Sequence, residues 1–138
     1  MPQKYVKKIL DARIYDLAIE TPVDAAPLLS KRLNNKVLLK REDLQPVFSF
    51  KLRGAYNKLR QLSEAERAGG VIAASAGNHA QGLALAAQKM SINATIVMPK
   101  TTPLIKVDAV RGWGAKVILF GDNYNAAADH ANQLVAEE

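Results

Sequence analysis

The feature that most restricts the fold is a change of rhythm at Val71, after which short apolar runs alternate with longer stretches of helical periodicity. Residues 71–74, 94–98 and 116–120 read as strands, and residues 78–90, 103–111 and 124–138 as helices between and after them. Parallel strands cannot be joined by a tight hairpin, so strand, helix and strand in succession predict a parallel sheet whose connecting helices return across its faces. The strands are continuous apolar runs, as expected where both faces are covered. The fold class expected is therefore α/β, a three-layer parallel sheet with helices on both faces.

The part before Val71 follows a different pattern. Tyr5, Val6, Ile9, Leu10, Ile14 and Leu17 recur near the helical period, which predicts one amphipathic helix over residues 5–19, ended by Thr21 and Pro22. Residues 25–33 predict a short helix with Pro27 in its first turn and Asn34 and Asn35 closing it, and residues 37–39 predict a strand. Helical periodicity resumes at Lys51, with Leu52, Tyr56 and Leu59 on one face as far as about Leu62. A further helical turn opens at Ser63 and is stopped by Gly69 and Gly70. The chain shows no internal repeat and no low-complexity linker.

Composition narrows the chemistry. Cysteine is absent, which removes disulfides, thiolate metal sites and cysteine nucleophiles and fits a reducing compartment, and two histidines are poor material for a catalytic zinc centre. The apolar runs fall well short of the ~20 residues of a spanning helix. Residues 1–17 mix lysine and arginine with aspartate and have no apolar core of the secretory kind. The formal charge of +6 is scattered among acidic residues, with little aromatic stacking surface, so it suits anionic small molecules better than nucleic acid. A cytoplasmic protein acting on a small molecule, without nucleic acid or membrane, is expected.

Two stretches carry candidate chemistry. In Ser49-Phe50-Lys51 the lysine follows the turn at Pro46, sits between Phe50 and Leu52, and begins a predicted helix. Most lysines are solvated surface charges. With an ordinary pKa of about 10.4, a lysine becomes a nucleophile or base only where burial or chemistry removes its charge, and condensation with an aldehyde cofactor is one way.

The second stretch, Ser75-Ala76-Gly77-Asn78-His79, lies between a predicted strand and a predicted helix. Ligands of open parallel sheets bind beyond the carboxyl ends of the strands, and a helix N-terminus there offers N–H groups and partial positive charge to a carboxylate or phosphate. Gly77 permits close approach or a positive φ, and Ser75 and Asn78 add side-chain donors. The bland reading makes Ser75 or Asn78 a helix cap and Gly82 a small residue that lets the helix lie close to the sheet. The spacing is not that of a P-loop, a dinucleotide fingerprint or a nucleophile elbow. His79 is open to two readings, a general base or, more commonly, a structural hydrogen-bonding residue. His130 reads as a solvated helix residue, and Gly112-Trp113-Gly114 as a turn into the following strand.

The wording Ser49-Phe50-Lys51-Leu52-Arg53-Gly54-Ala55 resembles the lysine segment of the fold-type II pyridoxal-phosphate enzymes, most closely the biosynthetic threonine dehydratases, and Ser75 to His79 resembles their substrate-carboxylate loop. The resemblance implies pyridoxal 5'-phosphate as cofactor, Lys51 as the catalytic Schiff-base lysine, Phe50 against the pyridine ring, and Asn78 hydrogen-bonded to the cofactor's phenolic oxygen. It implies that Ser75, Ala76, Gly77, Asn78 and His79 surround an amino-acid substrate. It further implies a homo-oligomeric ammonia-lyase of isoleucine biosynthesis that converts L-threonine to 2-oxobutanoate. Residues 1–46 would belong to its larger domain and residues 47–138 would form most of the smaller one.

The same resemblance puts the cofactor-phosphate loop and the residue at the pyridine nitrogen beyond Glu138. The expectation is thus a fragment of a longer polypeptide, with little activity by itself. Serine dehydratases and serine racemases resemble the chain in both motifs, although Leu52 and residues 41–46 favour the threonine branch. A non-catalytic α/β module that binds a small anion at residues 75–78 is the reading from another class.

Overall fold

The computed structural model describes residues 2–137. The part before Val71 comprises helix α1 (Pro2–Asp11), a 3-10 turn at Ile14–Asp16, strand β1 (Val23–Ala25), helix α2 (Pro27–Leu33), strand β2 (Leu38–Lys40), a second 3-10 turn at Glu42–Leu44, and helices α3 (Lys51–Arg60) and α4 (Glu64–Ala68). From there β3 (Val71–Ala74), α5 (Asn78–Lys89), β4 (Ala94–Met98), α6 (Leu104–Gly112), β5 (Lys116–Leu119) and α7 (Tyr124–Glu137) alternate as expected.

Strands β3, β4 and β5 form a parallel sheet in that order, with Val71 beside Ala94 and Thr95 beside Lys116. The middle strand is the most buried. Its side chains alternate between the two faces, and each face has its own helical cover. Ile96 and Met98 join Ala80, Leu83, Ala84 and Ala87 of α5, Val107 and Val110 of α6, and Tyr56 and Leu59 of α3 in the main core. Val97 points the other way, into a smaller cluster with Ala127 and Ala131 of α7. This is the three-layer arrangement expected of the sequence, and alanine-rich faces on α5 and α7 let both helices lie close to the strands. Each fully buried Leu or Ile contributes roughly 1.5–3 kcal/mol relative to an exposed one, so Leu52, Leu59 and Ile96, all at 0–2% exposure, anchor the sheet side of the molecule.

The N-terminal part departs from expectation in two places. The helix expected over residues 5–19 ends at Asp11, and a 3-10 turn follows. Beyond it the backbone is taken up elsewhere: Ile19 N–H donates to Gln45 Oε1 at 3.0 Å, and Gln45 Nε2 donates to the Ile19 carbonyl at 2.8 Å. Ala18, which a continued helix would carry off, packs against Val47, Leu52 and Leu85. The second departure is Ala25, expected to open a helix. It pairs instead with Leu38 in an antiparallel β1–β2 ribbon, and α2 begins at Pro27. Helix α1 also begins three residues earlier than expected, at Pro2, while other boundaries shift by one or two residues, and Glu138 lies outside the described residues.

Helix α4 and its exit show ordinary local control. Ser63 Oγ accepts from Glu66 N–H while Glu66 accepts from Ser63 N–H, a complete capping box. The chain then turns into β3 at Gly70, which has φ +82° and so close an approach to the Asn93 carbonyl that a Cβ would lie 2.9 Å from it. Among the described residues no helix is long and apolar enough to cross a membrane.

Candidate active site

Lys51 is the first residue of α3, exposed, with its Nζ 5.1 Å from the centroid of the Phe50 ring. Phe50 precedes the helix and is 58% exposed. The second expected stretch starts where β3 ends. Ser75 N–H donates to the Val97 carbonyl at 3.1 Å, so the parallel ladder runs on to the mouth of α5.

Helix α5 then begins with no side-chain cap: Gly77 is its N-cap residue. Ser75 Oγ is 3.5 Å from Gly77 N–H, and Asn78 is already inside the helix, so neither caps it. The expected alternative role of Ser75 or Asn78 as a cap is therefore corrected. Gly77 has φ −142° and nothing within 4 Å of where a Cβ would stand, so it needs no left-handed conformation and leaves the space before the helix open. The first-turn N–H groups, with the partial positive charge of the helix terminus, face this space without a side-chain acceptor.

Gly82 joins the two stretches. A Cβ on it would lie 2.9 Å from Leu52 N, 3.0 Å from the Lys51 carbonyl carbon and 3.2 Å from Leu52 Cα. The sequence suggested a glycine that seats the helix on the sheet. The structure instead places it where α5 crosses the first turn of α3, so one glycine sets how near the lysine lies to the α5 terminus. His79 is close enough to feel the result: loss of hydration lowers its pKa, and the positive charge of Lys51 lowers it further. His79 is nevertheless exposed at its surface, so solvent screens both effects.

Sequence reasoning missed the surroundings of α3. Arg53 Nε donates to Glu42 Oε2 at 2.7 Å and Arg53 Nη2 to Glu42 Oε1 at 2.9 Å, a two-bond grip with both side chains mostly buried. Thr21 Oγ1 adds a donor to Glu42 at 2.6 Å, and Gln45 Nε2 another at 3.3 Å. Hydrogen bonding by Arg53, helped by Thr21 and opposed by burial, holds the Glu42 carboxyl down at about 2. The Arg53 guanidinium is raised by the same bond and stands 5.2 Å from the Tyr15 ring. A cationic residue two places after the lysine was the only local signal.

Ser49 Oγ, buried beside the lysine segment, has no hydrogen-bond partner among the described residues. His130 stacks on Phe120 with ring centroids 3.9 Å apart, so it is packed and not simply solvated, and it takes no part in the site. Of Gly112-Trp113-Gly114, expected as a turn, Gly112 is the last residue of α6, and Trp113 and Gly114, the latter at φ +82°, make the turn.

An aromatic aldehyde that carries a phosphate needs a primary amine, a flat apolar neighbour and hydrogen-bond donors for anionic oxygens. Lys51, the exposed Phe50 ring and the uncapped start of α5 supply these three, so the residues present fit pyridoxal 5'-phosphate.

Known proteins bear on this geometry. Residues 14–138 match the family model described as pyridoxal-phosphate dependent enzyme. A biosynthetic, chloroplastic threonine dehydratase of Arabidopsis thaliana is 56% identical over 135 residues, which is 98% of this chain and 23% of that protein. The chain thus spans about a quarter of the length of that curated relative. The processed form of threonine deaminase isoform 2 from Solanum lycopersicum shares the fold at a TM-score of 0.91 and 53% identity, over 97% of this chain and 37% of its own. Maize serine racemase follows at a TM-score of 0.87 and 31% identity, over 94% and 40%. With nearly all of its described length matched and a fitting lysine site, this chain belongs to the pyridoxal-phosphate dependent enzyme family.

Proposed function

We propose that the natural polypeptide carrying this sequence is a threonine dehydratase of isoleucine biosynthesis, which converts L-threonine to 2-oxobutanoate and ammonia. The observation that carries the reading is the closeness of Lys51 to the uncapped start of α5, set by Gly82. Similarity to threonine dehydratases above 50% identity, against 31% for the serine racemase, favours threonine over serine.

Pyridoxal 5'-phosphate, when bound, supplies an electron sink for charge that develops at the substrate Cα. Lys51 Nζ would hold it covalently, and the same amine, when free, would take the Cα proton. Phe50 would flank the cofactor ring and Asn78 would donate to its ring oxygen. The first-turn N–H groups of α5, with Ser75, Ala76 and Gly77, would hold the substrate carboxylate, because anions are favoured at a helix N-terminus. His79, kept below its ordinary pKa, would be neutral at pH 7 and would add no charge beside Lys51. On this reading residues 1–46 belong to the larger domain and residues 47–138 to the smaller, in a cytoplasmic homo-oligomer.

Borohydride reduction of the natural polypeptide with its cofactor, followed by peptide mapping, tests the lysine. The label is expected on Lys51; a label on Lys40, Lys58 or Lys106 with none on Lys51 would overturn the assignment. Release of 2-oxobutanoate from L-threonine, compared with pyruvate from L-serine, tests the substrate.

A further inference from the structure

We propose that Glu42 and Arg53 act as a positioning pair for Lys51. The proposal rests on the reading of Lys51 as the cofactor lysine and assigns the part of the chain that keeps its amine in place.

Helix α3 has no side-chain cap at its start, since Phe50 is its N-cap residue, and an uncapped first turn frays unless tertiary contacts hold it. Two contacts do so, from opposite partners. On the α5 side Gly82 lies against the backbone of Lys51 and Leu52. On the other side Arg53, in the same first turn, is gripped through Nε and Nη2 by Glu42.

Glu42 is itself immobilised. Thr21, 3% exposed, and Gln45, 1% exposed, both donate to it, and Gln45 is locked by two hydrogen bonds to the Ile19 backbone. A fixed carboxylate therefore fixes a planar guanidinium, and the guanidinium fixes the turn that carries the lysine. Lysine has four rotatable side-chain bonds, so the amine can be delivered to one point only if its Cα is stationary. A displacement of about 1 Å at a reacting group can cost up to ~100-fold in rate. The paired charges also balance each other, so Arg53 brings little net positive potential to Lys51.

The test uses the natural polypeptide with its cofactor, with the variants Glu42→Gln, Arg53→Lys, Arg53→Met and the double variant Glu42→Gln/Arg53→Met. Glu42→Gln keeps the shape of the acceptor and loses its charge. Arg53→Lys keeps the charge and loses the two-bond grip. Three readouts are taken well below the unfolding temperature: cofactor affinity from the absorbance of the lysine-bound form, kcat, and KM. For each single variant at a pair residue we expect cofactor affinity to fall several-fold and kcat to fall about tenfold or more with KM little changed. Arg53→Lys is expected to retain more activity than Arg53→Met, and the double variant to lose no more than the worse single one, as for residues that act as a unit.

A purely structural pair would lower the thermal midpoint and leave cofactor affinity and kcat within twofold of the parent, and that result would overturn the proposal. Should Glu42→Gln fail to fold, Arg53→Lys decides by the same criteria. Borohydride labelling separates the two levels. If Lys51 is not labelled in the parent, the reading beneath the proposal fails and the proposal with it. If Lys51 is labelled in the parent and all variants match its spectrum and rate, the positioning role alone fails.

Discussion

Two helix starts flank β3, and they are finished in opposite ways. Helix α4 begins with a closed reciprocal box, in which Ser63 and Glu66 satisfy each other's backbone N–H groups. Helix α5 begins with no side-chain cap, behind a glycine whose surroundings are open. Sequence and physics agree on the first: Ser followed three residues later by Glu is a stabilising start that serves only the helix. The second forgoes about 1 kcal/mol of capping energy at a helix with a largely buried face. Donors left open there remain available to an anionic ligand, at the expense of local stability.

The contrast can be broken at four points. The largest effect is expected for Gly82→Ala, because the obstructing atoms belong to the Lys51 and Leu52 backbone at 2.9–3.2 Å and cannot swing aside. Such overpacking costs up to about 3 kcal/mol, read from denaturant unfolding, and α5 pushed off α3 should also weaken cofactor binding.

Asn78→Ala comes next. It opens no core cavity, since Asn78 is exposed, so turnover should fall about tenfold while the thermal midpoint stays put. An unchanged rate would make the α5 start as purely structural as that of α4. Ser63→Ala should show the reverse, a loss of about 1 kcal/mol in stability with turnover unaffected.

The smallest effect concerns His79. Its folded pKa lies below the ordinary 6.5, so the unfolded chain binds more protons in acid. Stability contributed by the neutral ring is whole above 6.5 and declines as the pH falls below it. His79→Gln should flatten that part of the stability profile, and because His79 is exposed the change should be shallow.

Strands β3 and β4 were legible to the residue because burial on both faces writes an unbroken apolar run. Residues 12–19 were misread for the converse reason. Their apolar spacing continues the helical period, but Gln45, 26 residues away, takes the Ile19 backbone, and no local pattern announces such a partner. The site divides in the same way. Lys51 and the segment from Ser75 to His79 stood out as continuous wording at a strand or helix end. Glu42 and Arg53 sit eleven residues apart, each an ordinary surface charge in sequence, and only folding makes them one ion pair. Gly82 drew notice as a small residue, yet its neighbour was wrongly expected to be the sheet, because periodicity tells which face is buried and not which element lies across it.

The contact at Gly82 has a bearing on mutational freedom. A steric conflict between side chains can be relieved by trimming the opposing one, so most tight positions admit paired replacements. Here the opposing atoms are Leu52 N, the Lys51 carbonyl carbon and Leu52 Cα, which every amino acid shares. No second-site change of side chain on α3 can make room. A randomised library at position 82, screened for retained cofactor, should therefore return glycine alone whatever is combined with it at position 52. Positions 54 and 77, where a Cβ would meet nothing within 4 Å, should return several residues. The separation between the starts of α3 and α5 is thereby held by the absence of one carbon atom, at a place where a single nucleotide change has no partner mutation to rescue it.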